Sequence, residues 1–487
     1  MEAVGRLPEL PGQDSGGRQA AKSAWAALLH SSMYFTLLGP TGENSAHCCY
    51  LSAGQAGLLL DTGLDPIREG RAALPDTSLL DRHEDYYPVH AILLSHAHVD
   101  HMAALPVLAA RWPRAVILCT EATWRLSRLQ LCRHATLWSE AWESGEATDE
   151  PLYGPADVQD LEARVRFVEK GERINPVAAD PDLFLSPCDA GHILGSCSWL
   201  IEAEGQKLFY TADICGRPQS VIQGAVYPAA ADTVISECTV AWSERHALHS
   251  RRDEILRLAA AIKEVAGVGG SILMPVFNMG RAQELLYILH SLKRKGRIPP
   301  LPVYLGRRAW EIAQLYDQFA ARDRRLLPDF KFVETMVDIL DQEEQVDLEG
   351  SRIFLVPSGM LQPGSASWRL ARQLLPLPLQ AIYFVGHAAG GSFAKDVLQC
   401  RPGDSLSFAG QIVPRHCRIE SFQFSSHSSL PELLDMLRRV APRRLVALPG
   451  RKNSAARYMC AACEQDVGLQ AEEALPGQEI DLGLASA

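Results

Sequence analysis

Four residues of metal-ligand type fall within six positions in His96-Ala97-His98-Val99-Asp100-His101, directly after the apolar run at 91–94. A short apolar run of that kind reads as a buried strand. Side chains two apart on a strand leave the same face, so His96 and His98 point together. The text that follows, MAALPVLAA, has helical spacing, and its first turn delivers Asp100 and His101 to the same point. Imidazoles combined with a carboxylate suit a borderline cation such as Zn2+. Any fold for this chain must therefore end a buried strand at a polar, metal-binding point.

Other strands are available to build around it. YFTLL, HCCYL, GLLLDTG, AVILC and DLFLSPCDA are short apolar runs bounded by polar or turn residues. CSWLIEAEGQKLFYTAD contains a hairpin expected to turn at Glu204-Gly205, and TVISECT is a further buried strand. From about Arg251 the texture changes to a regular alternation. RRDEILRLAAAIKEV and 281–293 are helical, SILMPVF, PVYLG, RIFLVPSG and AIYFVGH are strands, and 368–374 is again helical. Alternation of this kind implies a parallel sheet covered by helices. A last strand–helix–strand unit, SFQFSSHSS, LPELLDMLRRV and RRLVALPG, follows. Residues 1–30 show no sustained period and read as a weakly ordered leader.

Two later residues extend the metal cluster. His192 stands in DAGHILGS just after an apolar strand, where Gly191 permits close backbone approach. Asp213 ends the strand LFYTAD, and a carboxylate at a strand terminus can bridge two metals.

Composition narrows the partners. The chain has 487 residues, which at ~100–200 residues per domain means several domains. Its 47 basic and 58 acidic residues leave a net charge of −11, so nucleic acid cannot be held by a global positive field, only locally. No stretch reaches the ~20 apolar residues of a spanning helix, and the first thirty residues lack a signal-peptide core. Neither a membrane nor secretion is expected. Many of the 12 cysteines sit in apolar strand-like text, where reduced, buried thiols are expected; the lone Cys460-Ala-Ala-Cys463 falls in a helical pattern with no second pair nearby, and the expected compartment is the cytoplasm.

LLLDTG, SHAHVDH, DAGHILGS and LFYTAD, in that order, resemble the successive motifs of the metallo-β-lactamase fold. The stretches that follow resemble its β-CASP branch of RNA- and DNA-processing nucleases. These are ISECT with Glu237, Pro275-Val276-Phe277 with the segment 280–285, Pro357-Ser358-Gly359-Met360, Gly391-Ser392-Phe393-Ala394-Lys395, and Phe424-Ser425-Ser426-His427. The resemblance implies an α/β fold, an αββα metallo-β-lactamase sandwich with an inserted α/β β-CASP domain. Its expected division is 31–240 and 421–487 for the sandwich and 241–420 for the insertion. It further implies that His96, His98 and His192 hold a first zinc, Asp100 and His101 a second, and that Asp213 bridges them. Asp61 would hold a ligand histidine by a hydrogen bond. Glu237 and His427 would form a general-acid dyad, with Asp100 also holding the attacking water. Arg281, Ser358 and Lys395 would line an RNA cleft, with Arg251 and Arg252 nearby. Arg281 heads a helix, where a cation is poorly placed unless an anion meets it.

One position departs from the family pattern. Where a VHGE-like turn normally supplies a histidine to the second metal, this chain reads Leu448-Pro449-Gly450-Arg451. Proline cannot coordinate, and an arginine brings positive charge towards a cation, so one or two zinc ions are expected, the second held weakly. Three readings follow: a zinc-dependent ribonuclease, endo- or exonucleolytic and with attenuated activity; a catalytically impaired homologue acting as an RNA- or protein-binding scaffold; and a hydrolase of a small ester or phosphodiester. Glu237 and His427 favour the first, Pro449 the second, and the long inserted region disfavours the third. A homodimer or a protein partner stays open.

Overall fold

The computed structural model describes residues 33–39, 46–66, 68–82, 89–178, 180–243, 250–320, 322, 326–327, 330–340, 349–386, 388–450, 452 and 454–483. The expected leader at 1–30 and Arg451 lie outside the described residues.

Two sheets face one another across the first core. One has seven strands in the spatial order Glu479–Asp481, Tyr34–Leu37, Cys49–Ala53, Ala56–Leu60, Val89–Leu93, Val116–Cys119 and Val165–Phe167. The other has six, in the order Gln470–Glu473, Arg444–Ala447, Thr233–Ser236, Gln206–Tyr210, Cys197–Ala203 and Phe184–Asp189. Each is antiparallel in its hairpin half and parallel beyond it. The expected hairpin turn at Glu204-Gly205 forms, with both residues at positive φ, 53° and 74°. Leu58, Leu60 and Leu93 from one sheet pack with Trp199, Tyr210 and Ile235 from the other. Helices close the outer faces. The long helix Glu121–Glu143 covers the first sheet through Trp124, Leu131 and Ala135, and Leu430–Val440 with Ala455–Asp466 covers the second. The result is the four-layer αββα arrangement.

The chain between these layers forms a third sheet. Its six strands, Asp338–Leu340, Val303–Gly306, Ile353–Val356, Ile272–Pro275, Ala381–Phe384 and Arg418–Ser421, are all parallel. That is the geometry the strand–helix alternation requires, because parallel neighbours need a crossover. Arg251–Gly267, Arg281–Arg294 and Arg307–Ala320 pack on one face, and Ala366–Leu374 with Phe393–Gln399 on the other. The chain then returns: Arg444–Ala447 and Gln470–Glu473 join the second sheet, and Glu479–Asp481 joins the first. The third sheet is thus an insertion into a sandwich that the C-terminal strands complete. Ile193 and Leu194 belong to its core cluster, and Tyr316 Oη accepts the Leu194 N–H at 3.2 Å, so the insertion rests on the loop that carries His192.

Two local expectations change. MAALPVLAA is not one helix but Val99–Met102 followed by Leu105–Arg111. SFQFSSHSS is not a strand, since the strand Arg418–Ser421 ends where it begins. Its serine-rich half gives its backbone to site loops instead. The Ser428 N–H donates to the Ile214 carbonyl at 2.8 Å, and Arg251 donates to the Ser425 carbonyl at 2.6 Å. No helix among the described residues is long and apolar enough to cross a membrane, and all 12 cysteines are unpaired thiols.

Candidate metal centre

Strand ends and two left-handed residues, Asp61 and the Ala212 that precedes Asp213, assemble the site. Asp61 follows the strand Ala56–Leu60 and adopts φ 62°, a conformation that aims its carboxylate under the adjoining strand end. There it is fully buried and heavily used. Oδ1 accepts the Ser95 N–H at 2.7 Å, and Oδ2 accepts the Ser95 hydroxyl at 2.7 Å, the Tyr210 hydroxyl at 3.0 Å and His101 Nδ1 at 2.8 Å. Asp61 therefore holds a histidine through a hydrogen bond, and that histidine is His101.

The imidazoles are oriented the same way. The Ser95 hydroxyl donates its hydrogen bond to Asp61, so its oxygen accepts from His96 Nδ1 at 3.0 Å and leaves the His96 Nε2 lone pair free. The Ser426 carbonyl accepts from His192 Nδ1 at 2.9 Å, which frees His192 Nε2. Both free nitrogens converge on His98 Nδ1, at 3.0 Å and 3.1 Å. A neutral His98 has at most one proton on Nδ1 to offer these two lone pairs, so at least one of them is left for a cation. Asp213 Oδ2 stands 3.6 Å from His96 Nε2 and 3.4 Å from His192 Nε2, and Oδ1 stands 3.5 Å from His101 Nε2. His101 Nε2 is buried and makes no hydrogen bond. The donor set and this orphaned nitrogen fit a cation on each side of Asp213.

Electrostatics agree with that fit. Burial, with help from neighbouring imidazoles, drives the pKa of His96 well below the usual histidine value. Burial brings His98 down to about 4, and lowers His192 as well. Neutral imidazoles are the form that binds metal. Burial opposes charge on His101, but Asp213 and Asp61 outweigh it and hold its pKa well above the usual value. Burial opposes charge on Asp213 too, yet His101 and His427 keep it ionised. The local field favours positive charge beside Asp213.

Three groups of ligand atoms lie within 4.8 Å of one another: His96, His98, His192 and Asp213; His47, His101 and Asp213; and Asp213, Glu237 and His427. The first holds the expected residues of the first metal. The second contains His47, for which the sequence carries no spacing signal, because it stands far ahead of the His96–His101 cluster. Only the fold brings it in: the His47 N–H donates to the Asp100 carbonyl at 2.7 Å, and the His47 carbonyl accepts the Gly63 N–H at 2.9 Å. Gly63 has to be glycine here, since a Cβ would lie 1.8 Å from the Asp100 oxygen. Asp100 itself is half-buried and belongs to none of the three groups, although its charge is felt by His47 and His98.

His427 Nδ1 lies 3.0 Å from both Glu237 oxygens. Glu237 is fixed in turn by the Ile214 and Thr239 N–H groups, at 2.8 Å and 3.2 Å. The three expected RNA contacts stand differently. Arg281 donates to Glu284 at 2.6 Å, and Glu284 also pairs with Arg251, so the anion that meets the cation at this helix start is internal. Ser358 Oγ accepts the Met360 N–H at 3.1 Å within its own turn. Lys395 is half-buried and forms no ion pair among the described residues.

An αββα sandwich with clustered imidazoles at its strand ends is the architecture of a metal-dependent hydrolase. Three family models match in chain order: the beta-lactamase superfamily domain at 57–269, the Beta-Casp domain at 282–397, and the Zn-dependent metallo-hydrolase RNA specificity domain at 412–458. The chain belongs to the β-CASP branch of the metallo-β-lactamase family. It is 26% identical to the endoribonuclease YSH1 of Mycosarcoma maydis over 457 residues, 91% of this chain and 50% of that protein. To the cleavage and polyadenylation specificity factor 73 of Drosophila melanogaster it is 26% identical, over 87% of this chain and 60% of that protein. A ribonuclease of Thermus thermophilus is 28% identical over 85% of this chain and 95% of its own length. The chain thus spans only half to three-fifths of the first two relatives. A crystal structure of a protein of unknown function from Enterococcus faecalis V583 shares the fold, with a TM-score of 0.53 at 13% identity over 93% of this chain and all of that one.

Proposed function

We propose that this chain is a metal-dependent ribonuclease that hydrolyses phosphodiester bonds of single-stranded RNA. The observation that carries the reading is the Glu237–His427 pair, 3.0 Å apart and sharing Asp213 with the metal-type cluster. A scaffold that only binds has no use for a proton donor held beside a metal position. Two of the relatives are named endoribonucleases or ribonucleases, and residues 412–458 match a domain described for RNA specificity.

His96, His98, His192 and Asp213 would hold one cation, with His101 and Asp213 forming part of a second position. A divalent cation there supplies Lewis acidity, polarising a phosphoryl oxygen and making water nucleophilic at neutral pH. The chain's own residues do the rest. Ser95, Ser426 and Asp61 fix the tautomer and direction of His96, His192 and His101, so no reorganisation accompanies the reaction. Glu237 accepts from His427 Nδ1, which leaves Nε2 to carry the proton handed to the departing sugar oxygen. The sharing of Asp213 sets that donor beside the cluster where the phosphate would be attacked.

Cleavage of a labelled single-stranded RNA by wild type, His98→Ala and His427→Ala tests the reading. Wild type should cut and both variants should not. Zinc-loaded wild type that leaves RNA intact in Zn2+, Mn2+ and Mg2+ would instead support a binding scaffold, the reading that Pro449 favours.

A further inference from the structure

We propose that His47 supplies the imidazole of the second metal position, in the role that Pro449 cannot fill. The inference rests on the reading of this site as a metal centre and goes beyond it, because His47 lies outside all three matched family segments.

The position held by Pro449 is closed to coordination. The preceding residue, Leu448, is locked onto the neighbouring strand, its N–H donating to the Ser236 carbonyl at 2.8 Å and its carbonyl accepting from Cys238 Sγ at 2.9 Å. The turn is therefore held against the strand that leads to Glu237, and its proline ring offers no donor atom. Asp213 and His101 alone leave a second cation short of ligands, since metal sites with open positions normally use three protein ligands.

His47 approaches from the opposite wall. Its backbone is clamped on both sides, by the Asp100 carbonyl at 2.7 Å and the Gly63 N–H at 2.9 Å, so the residue is anchored to the Asp61 turn and to the helix start that carries His101. Its ring lies flat on that of His101, with centroids 4.2 Å apart and planes 12° from parallel. A ligand nitrogen of His47, one of His101 and an oxygen of Asp213 all lie within 4.8 Å of one another. Donors about 2.1 Å from a tetrahedral ion are roughly 3.4 Å apart and imidazole lone pairs lie in the ring plane, so the His47 ring must turn out of its stack on His101 to close this group onto one cation. A second pointer is His101 Nε2, a buried nitrogen with no well-formed hydrogen bond, whose nearest acceptor is the Asp213 Oδ1 of this same group at 3.5 Å. His47 is itself buried, at 8% exposure, among polar groups rather than in an apolar core. Asp100, on the helix just before His101, stands ready to add a carboxylate or to hold a water there.

The test is metal content, measured by mass spectrometry after dialysis, with a spectroscopic reporter of direct ligation. Wild type should retain two zinc ions per chain, His47→Ala one, and His98→Ala should lose the ion that His47→Ala keeps. Cobalt-loaded His47→Cys should gain a thiolate-to-cobalt charge-transfer band in the near-ultraviolet, absent from wild type and from His47→Ser. Two ions in both wild type and His47→Ala, with no band in His47→Cys, overturn the assignment of His47 alone. One ion in wild type overturns the second position, and none overturns the metal-centre reading itself.

Discussion

Glu237 and His427 are 190 residues apart in the chain, yet both carboxylate oxygens of the one lie 3.0 Å from Nδ1 of the other. The glutamate sits where the sandwich chain leaves for the inserted sheet, and the histidine where it comes back. Substitution of His427 by alanine should lower RNA cleavage by about 10²–10⁴-fold, the usual contribution of a general acid. Zinc content should stay at the wild-type value, because His427 lies outside the group of His96, His98, His192 and Asp213 and its Nδ1 is taken by Glu237 in the group those two form with Asp213. Glu237→Gln should show the same separation with a smaller loss. A fall in bound zinc in either variant would recast the pair as ligands.

Asp61 predicts the opposite pattern. It touches no substrate position but holds His101 at 2.8 Å and accepts three further hydrogen bonds from Ser95 and Tyr210. Asp61→Asn should weaken metal retention about 10–100-fold, as loss of a ligand's partner does. Asp61→Ala should also lower stability by about 1–3 kcal/mol for each buried donor left unpaired. Equilibrium dialysis against zinc and thermal melts of the metal-free protein separate the two effects.

The buried trio Arg251, Glu284 and Arg281 predicts a stability effect without a metal effect. Glu284 is 2% exposed and carries the countercharge for both arginines. Glu284→Ala leaves two buried cations facing each other and should cost about 3–5 kcal/mol. Arg281→Ala leaves Glu284 paired with Arg251 and should cost less. If Arg281 contacts RNA as well, Arg281→Ala should weaken RNA binding by more than Lys395→Ala does, as read by fluorescence anisotropy.

His134, on the helix Glu121–Glu143 and in none of the metal-type groups, sets a pH prediction. Burial, then Arg308 and Arg133, lower its pKa from the ordinary 6.5 to about 4. The unfolded chain therefore takes up a proton that the folded chain refuses. Stability should be full above pH ~6.5 and fall as the pH drops towards about 4, where the folded ring also protonates. His134→Leu should flatten that slope in melts followed from pH 7 to 4, with zinc uptake at pH 7 unchanged.

Most of the fold was legible in the sequence, for reasons visible in particular residues. The strand–helix alternation after Arg251 has no realisation other than a covered parallel sheet, and such a sheet forms. His96, His98, His192 and Asp213 could be read because each ends or follows an apolar strand. His47 could not, because nothing near it in the chain signals chemistry. Its place depends on three segments meeting at Gly63, which only tertiary structure decides. Arg281 was legible as a cation needing an anion, but whether that anion was a phosphate or Glu284 turned on a residue three positions away, on the same helix face. The strand expected over SFQFSSHSS failed because its periodicity is local, whereas its serines are engaged by distant loops.

The strand Glu479–Asp481 pairs with Tyr34–Leu37, the first described strand. A chain emerging from the ribosome therefore carries His96, His98, His101 and Asp213 long before it carries His427, Arg444–Ala447 or the strand that closes the first sheet. Its sandwich has open edges on both sheets until those strands are made, and His427, the proposed proton donor, follows Asp213 by 214 positions. On the proposed reading, such a threading order sets the metal-type residues in place before the pair that would supply the proton, so a growing chain would gain its parts for binding before its parts for cleavage.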